Sequence, residues 1–227
     1  IDVLCVGNAT IDVFVLLKNV KNFSYDKFSN SINFPLGEKI PLDEHIFSLG
    51  GNACNVSVGL SRLELNTSLA AEVGNDEFSE KIVNTLKKEG VDLSLLKRDG
   101  KKTPYFNIVL AYGGDRTILS EKNPVDFPIT IGEVSPKYFY LSSFSGEWKN
   151  LYSDLISKNK NSLFALNPGS RQLSNNLSEI LSMLPNIEIL FVNVGEAQKI
   201  VNDTSPDIKV ILKKLKSLGV KIAAVTD

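Results

Sequence analysis

Strand-like apolar runs alternate with helical patterns along most of this chain, and that alternation limits the folds open to it. Residues 1–7, 67–73, 137–141, 162–166, 188–192 and 221–225 read as strands, and polar residues rarely interrupt them. Residues 52–63, 77–89, 146–158, 178–184, 196–201 and 208–218 carry helical spacing between them. Strands that stay apolar on both sides are buried on both faces. The pattern therefore predicts an α/β fold: a mostly parallel central sheet with helices on both faces, an αβα sandwich.

Three segments break the rhythm. Residues 11–20, 31–48 and 104–119 read as strands with no helix between them, and Tyr112-Gly113-Gly114-Asp115 is a hairpin signal. They predict a small second sheet. A sheet able to fold over the carboxyl ends of the main strands is a lid; an edge extension or a contact between two copies is the plainer alternative.

Composition removes several classes of function. With 227 residues, 43% of them hydrophobic, the chain can bury a large core in one or two domains. A net charge of −1 offers no basic face to nucleic acid or to a membrane surface, and no apolar run is long enough to span a bilayer. Two cysteines, Cys5 and Cys54, in an otherwise ordinary chain fit a reducing cytoplasm. The single histidine, His45, leaves a histidine triad or a multi-histidine metal site without its parts.

The densest polar motif is Gly50-Gly51-Asn52-Ala53-Cys54-Asn55, at a strand-to-helix turn. Paired glycines let backbone approach a ligand closely because no Cβ intervenes. Asn52 and Asn55 lie three apart, on one helical face. Each amide both donates and accepts, which suits a polyhydroxylated ligand. A tight turn with an asparagine N-cap explains the same residues without a ligand.

Four stretches, in order, resemble the ribokinase-like (phosphofructokinase-B type) family of carbohydrate and nucleoside kinases. They are Val6-Gly7-Asn8-Ala9-Thr10-Ile11-Asp12; residues 50–57 followed by Gly74; Asn167-Pro168-Gly169-Ser170-Arg171; and Asn193-Val194-Gly195-Glu196. The resemblance spans residues 1–227 as one kinase domain, with the lid segments inserted in it. Glu64 stands where the family has a small residue, and Asn167 where it often has aspartate. The family's Gly-Ala-Gly-Asp motif, which carries the catalytic base and the anion hole, is absent, so the resemblance implies an N-terminal portion with those groups beyond Asp227.

The resemblance implies transfer of the γ-phosphoryl of ATP to a hydroxyl of a sugar or nucleoside. Such chemistry rests on positioning and charge neutralisation. It implies a substrate-binding set of Asp12, Gly50, Gly51, Asn52 and Asn55. Asp12, a carboxylate at a strand mouth, is suited to accept bonds from neighbouring hydroxyls. Phe106 and Ile108 alternate on one face of a lid strand and would exclude water, or else form a small core under the lid. Arg171 and Asn193 are expected at the nucleotide. Glu196 and Asn193 are expected to organise Mg2+ through water, although Asn193 and Glu196 also read as a capping box. A monovalent cation and a homodimer through the lid are further features of the resemblance. A catalytically inactive relative that binds a sugar or nucleoside as sensor or partner is the alternative. A nicotinamide-dependent enzyme ranks last, because no Gly-x-Gly-x-x-Gly follows a strand.

Overall fold

In the computed structural model, residues 1–17, 23–98, 106–120, 129–144 and 147–226 are described. Residues 18–20 of the expected segment 11–20, residues 104–105 of the segment 104–119, and the first residue of the expected helix 146–158 lie outside them. The first half of the chain holds β1 (Val3–Val6), β2 (Thr10–Leu16), β3 (Ser24–Asp26), β4 (Ser31–Asn33), β5 (Glu44–Gly50), α1 (Asn52–Arg62), β6 (Thr67–Ala70), β7 (Glu72–Val73) and α2 (Glu77–Lys88). After β8 (Lys97–Arg98) come β9 (Phe106–Tyr112), β10 (Asp115–Ser120), β11 (Tyr138–Leu141) and α3 (Trp148–Lys158). The last part holds β12 (Leu163–Leu166), α4 (Ser170–Asn175), α5 (Leu177–Met183), β13 (Ile189–Asn193), α6 (Val194–Val201), α7 (Ile208–Ser217) and β14 (Ile222–Thr226).

Six of these strands form the main sheet, in the order β14-β13-β12-β11-β1-β6, and every neighbouring pair is parallel. Period-2 alternation divides the side chains of the sheet between two cores. Leu4, Val6, Phe139, Leu141, Phe164 and Leu166 pack with Trp148, Tyr152, Leu173, Ile180, Ile200 and Leu215 from α3–α7. Val3, Cys5 and Leu69 pack with Ala53, Cys54, Ile82 and Leu86 from α1 and α2. Both faces are thus apolar, as the unbroken strand runs require.

Both cysteines are free and buried. Burial pushes the Cys5 thiol up to about 12, and it pushes Cys54 upward as well, so neither is a thiolate nucleophile near neutrality. Among the described residues, no helix is long and apolar enough to cross a membrane.

The order of the sheet reverses once. From β1 the chain moves outward to β6, then returns to the other side of β1 at β11 and continues to β14. In open α/β sheets, ligands bind in the crevice that such a reversal opens at the carboxyl ends of the strands. Here the crevice lies between the ends of β1 and β11, where the Asn8 amide donates to the Ser143 carbonyl over 3.0 Å.

A second sheet, in the order β10-β9-β2-β5, stands beside this crevice. β9 and β10 form the hairpin expected around Gly113-Gly114, with Tyr112 opposite Asp115. One face of this sheet is seated on α2: Phe106 meets Phe78 with ring centroids 5.3 Å apart, Phe78 stacks on Phe47, and Lys81 Nζ lies 4.8 Å from the centre of the Phe47 ring. The expected strand segment 31–48 holds two strands, β4 and most of β5. β4 pairs with β3 in a separate hairpin.

Candidate functional site

A cavity of about 840 Å³ opens at the crevice. Asn8, Asp12, Gly51, Asn55, Asn107, Ser143 and Arg171 are among the residues around it. β2 delivers Asp12. Its Oδ1 accepts from Thr10 Oγ1 at 3.0 Å and from Asn107 Nδ2 at 2.8 Å. No described residue donates to Oδ2. The carboxylate lies flat against Gly50 on the neighbouring strand, where any Cβ would stand 2.4 Å from all three carboxylate atoms. Glycine at 50 is therefore a steric condition of where the Asp12 carboxylate sits.

Gly51 turns β5 into α1. Its φ of 90° and the Asn8 carbonyl oxygen, 2.3 Å from where a Cβ would be, both demand glycine. It is the N-cap, and no side chain caps the helix. Among the described residues no side chain is recorded on the first amides of α1, which starts at the cavity wall. Asn52 is the first helical residue, so the expectation of an asparagine N-cap is replaced by a glycine one. Asn52 Nδ2 donates to Asn167 Oδ1 at 2.8 Å. Asn55, one turn on, is exposed at the cavity.

Asn167 is a junction. Its Oδ1 also accepts from Tyr140 Oη at 3.2 Å, and its Nδ2 donates to the Phe191 carbonyl at 2.8 Å. Burial pushes the Tyr140 phenol upward, so it stays a neutral donor. On the other face, the fully buried Tyr152 donates its hydroxyl to the Ser142 carbonyl, holding the end of β11 beside Ser143.

Phe106 and Ile108 are corrected by the pleat. Their register partners are Ile11 and Val13, which are buried in the core over α2. They therefore share that face and turn away from the cavity. The residue between them, Asn107, stands opposite Asp12 and faces the cavity. The sequence reading missed Asn107. The signal was present, because residues facing the same side as Asp12 on a paired strand must have the alternate parity.

At the far wall, Arg171 is exposed, with no ion pair among the described residues. Lys149 is paired with Glu179, whose carboxyl the ammonium holds down to about 2. Asn193 and Glu196 form a capping box: the Glu196 amide donates to Asn193 Oδ1 at 2.8 Å, and the Asn193 amide donates to Glu196 Oε2 at 3.0 Å. Glu196 Oε1 takes no part in the box.

Asn52 and Glu196 border a second cavity as well, of about 620 Å³. It lies on the face of the main sheet that carries Tyr138, Ala165, Ile189 and Phe191, and Ile222 on edge strand β14 is 51% exposed. Among the described residues, no three His, Cys, Asp or Glu side chains gather as a metal cluster.

The sequence matches the pfkB family carbohydrate kinase over residues 19–227. It is 31% identical over 141 residues to 5-dehydro-2-deoxygluconokinase of Clostridium tetani, covering 61% of this chain and 37% of that protein. The enzyme of that name from Mesomycoplasma hyopneumoniae is 26% identical over 139 residues, which are 60% of this chain and 36% of that one. The match thus spans little more than a third of the length of these curated relatives. Among solved structures, Halothermothrix orenii fructokinase superposes with a TM-score of 0.73 at 16% identity, covering 100% of this chain and 80% of that one. Methanocaldococcus jannaschii nucleoside kinase gives 0.71 at 17% identity, over 99% and 70%. The fold is ribokinase-like, and the chain belongs to the pfkB family of carbohydrate kinases.

Proposed function

We propose that this chain is the acceptor-binding part of an ATP-dependent kinase that moves the γ-phosphoryl of ATP to a hydroxyl of a sugar or nucleoside. The observation that carries this reading is the state of Asp12, which borders a polar cavity at the switch point of the sheet: one oxygen is tied by Thr10 and Asn107, and the other takes no donor among the described residues. A carboxylate so held accepts hydroxyl protons in a fixed direction, and charged acceptors form the stronger bonds. Gly50 and Gly51 bring backbone close to the acceptor, and Asn55 meets its hydroxyls. Asn52 contributes through the tie to Asn167 that fixes the first turn of α1.

ATP and Mg2+ are the cofactors typical of the family. The divalent ion, when bound, neutralises charge on the phosphates. Glu196 borders both cavities and Asn193 the smaller one, and together they fit an ion that keeps most of its water shell. Arg171, with no ion pair among the described residues, borders the polar cavity and is suited to a phosphate oxygen. We place the catalytic base and the anion hole on a part of the full-length protein outside these 227 residues. The apolar sheet face around Phe191 supports this, since it is a surface a further element could cover. The 227-residue chain alone is then inactive. Its two free, buried thiols support a reducing, cytoplasmic setting.

The test is a product-coupled phosphorylation screen of the full-length gene product with ATP and Mg2+ against pentoses, hexoses, sugar acids and nucleosides, with Asp12→Ala as control. Sugars head the panel, because three of the four proteins compared above are named for sugar-type acceptors. Turnover on one class that is lost in the control supports the reading. No turnover on any member, together with ligand-dependent thermal stabilisation lost in Asp12→Ala, favours an inactive binding relative.

A further inference from the structure

We propose that Asn107 is a positioning residue for the acceptor: it orients the Asp12 carboxylate, and through Ser120 it makes that orientation depend on where the β9–β10 hairpin sits. This rests on the kinase reading above and deepens it.

The direction of each hydrogen bond follows from the chemistry of the groups. The Asp12 carboxylate can only accept, so the Asn107 amide must turn its NH2 toward it, and Nδ2 donates to Asp12 Oδ1 over 2.8 Å. That leaves Asn107 Oδ1 as the acceptor for Ser120 Oγ, at 2.6 Å. The three residues come from three strands and border the same cavity. The chain of bonds therefore has one polarity, from the hairpin to the carboxylate. The second N–H of Asn107 and the lone pairs of Ser120 remain for a ligand.

A purely structural role explains the pair poorly. The register of β2 and β9 is already specified by the apolar face, where Ile11 and Val13 oppose Phe106 and Ile108 in the core over α2. A hydrogen bond at the edge of an open polar cavity adds little to that stability, because water competes for both partners. What it does provide is direction: with Thr10 and Asn107 both on Oδ1, the carboxylate presents Oδ2 outward. Movement of the hairpin would carry Ser120 and Asn107 with it and change that presentation.

The experiment uses the full-length gene product and the acceptor that turns over fastest in the screen above. Asn107→Leu, close in size but without polar atoms, is expected to raise the acceptor KM by about 10- to 100-fold while leaving the KM for ATP unchanged. Ser120→Ala is expected to raise the acceptor KM by a smaller factor, and to add nothing in the Asn107→Leu background. An unchanged acceptor KM in a folded Asn107→Leu enzyme, or additive effects of the two substitutions, would overturn the proposal. If Asn107→Leu does not fold, Ser120→Ala decides alone, and an unchanged acceptor KM sinks the idea. A wild-type enzyme that phosphorylates no acceptor removes the kinase reading itself. Wild-type turnover with no effect on KM removes only the role of Asn107.

Discussion

Asn52 Nδ2 donates to Asn167 Oδ1 across 2.8 Å, joining the first turn of α1 to a loop 115 positions later in the chain. Asn167 completes the joint by accepting from Tyr140 and donating to the Phe191 carbonyl. An amide is required to do all of this, since aspartate has no donor for the Phe191 carbonyl. Asn167→Ala is expected to lower stability by about 1–3 kcal/mol, because it leaves a half-buried carbonyl without its partner. Urea unfolding of the two proteins measures the difference. Asn167→Asp should recover part of the loss at most.

Gly50 and Gly51 are adjacent but fail differently when given a methyl group. At Gly50 the three atoms nearest the added Cβ all belong to the end of the Asp12 side chain, which can rotate away. Gly50→Ala should therefore keep nearly the wild-type melting temperature in the full-length enzyme, while acceptor kcat/KM falls by about 100-fold as the carboxylate is displaced. At Gly51 the Cβ meets backbone, the Asn8 carbonyl, at a φ of 90°. Gly51→Ala should destabilise by about 1–3 kcal/mol, read by the same thermal scans. Equal melting temperatures for the two variants would contradict this separation.

The main sheet was legible in the sequence because its strands are buried on both faces, so their apolar runs are continuous and need no knowledge of partners. The expected runs 137–141 and 188–192 became β11 and β13 with shifts of a residue. Helix α4 was missed: six residues rich in Ser, Asn and Gln carry too short a pattern to show a period. β3, and with it the pairing to β4, was missed for a similar reason, being three residues long and largely exposed. The placement of Asp12 and Gly51 beside the crevice was legible, because a strand mouth and a strand-to-helix turn fall at the carboxyl ends of a parallel sheet. Phe106 and Ile108 misled because apolar alternation shows that a face exists, and only strand pairing shows which way it turns. Asn167 could not be read as a junction, since its three partners are brought together only by the fold.

The pair Lys149–Glu179 joins α3 to α5 and should be visible in the acid limb of the stability curve. The Glu179 carboxyl falls from its ordinary 4.5 to about 2, chiefly through the bond from the Lys149 ammonium and then through Ser178. A carboxylate depressed in the folded state adds stability that is complete above about pH 4.5 and is lost as the pH falls toward 2. The difference in unfolding free energy between wild type and Glu179→Gln should therefore shrink steadily across that window and be flat above it. Both side chains are partly exposed, so the gain is small and should weaken in high salt. A difference that grows as the pH falls would reverse the sign.

Glu196 and Asn193 separate a structural duty from a chemical one. In the capping box, Asn193 accepts from the Glu196 amide through a side-chain oxygen that alanine lacks, so Asn193→Ala should cost about 0.5–2 kcal/mol of stability. Glu196→Gln keeps an oxygen that can accept from the Asn193 amide over the present 3.0 Å, and should leave stability within about 0.5 kcal/mol of wild type. It removes the charge from the one carboxylate oxygen outside the box, at the junction of the two cavities. If that charge helps to hold hydrated Mg2+, Glu196→Gln in the full-length enzyme will need more Mg2+ for half-maximal turnover, while the acceptor KM stays unchanged. Titrating Mg2+ at fixed ATP reads this directly. An unchanged Mg2+ requirement would confine Glu196 to its place as a helix cap.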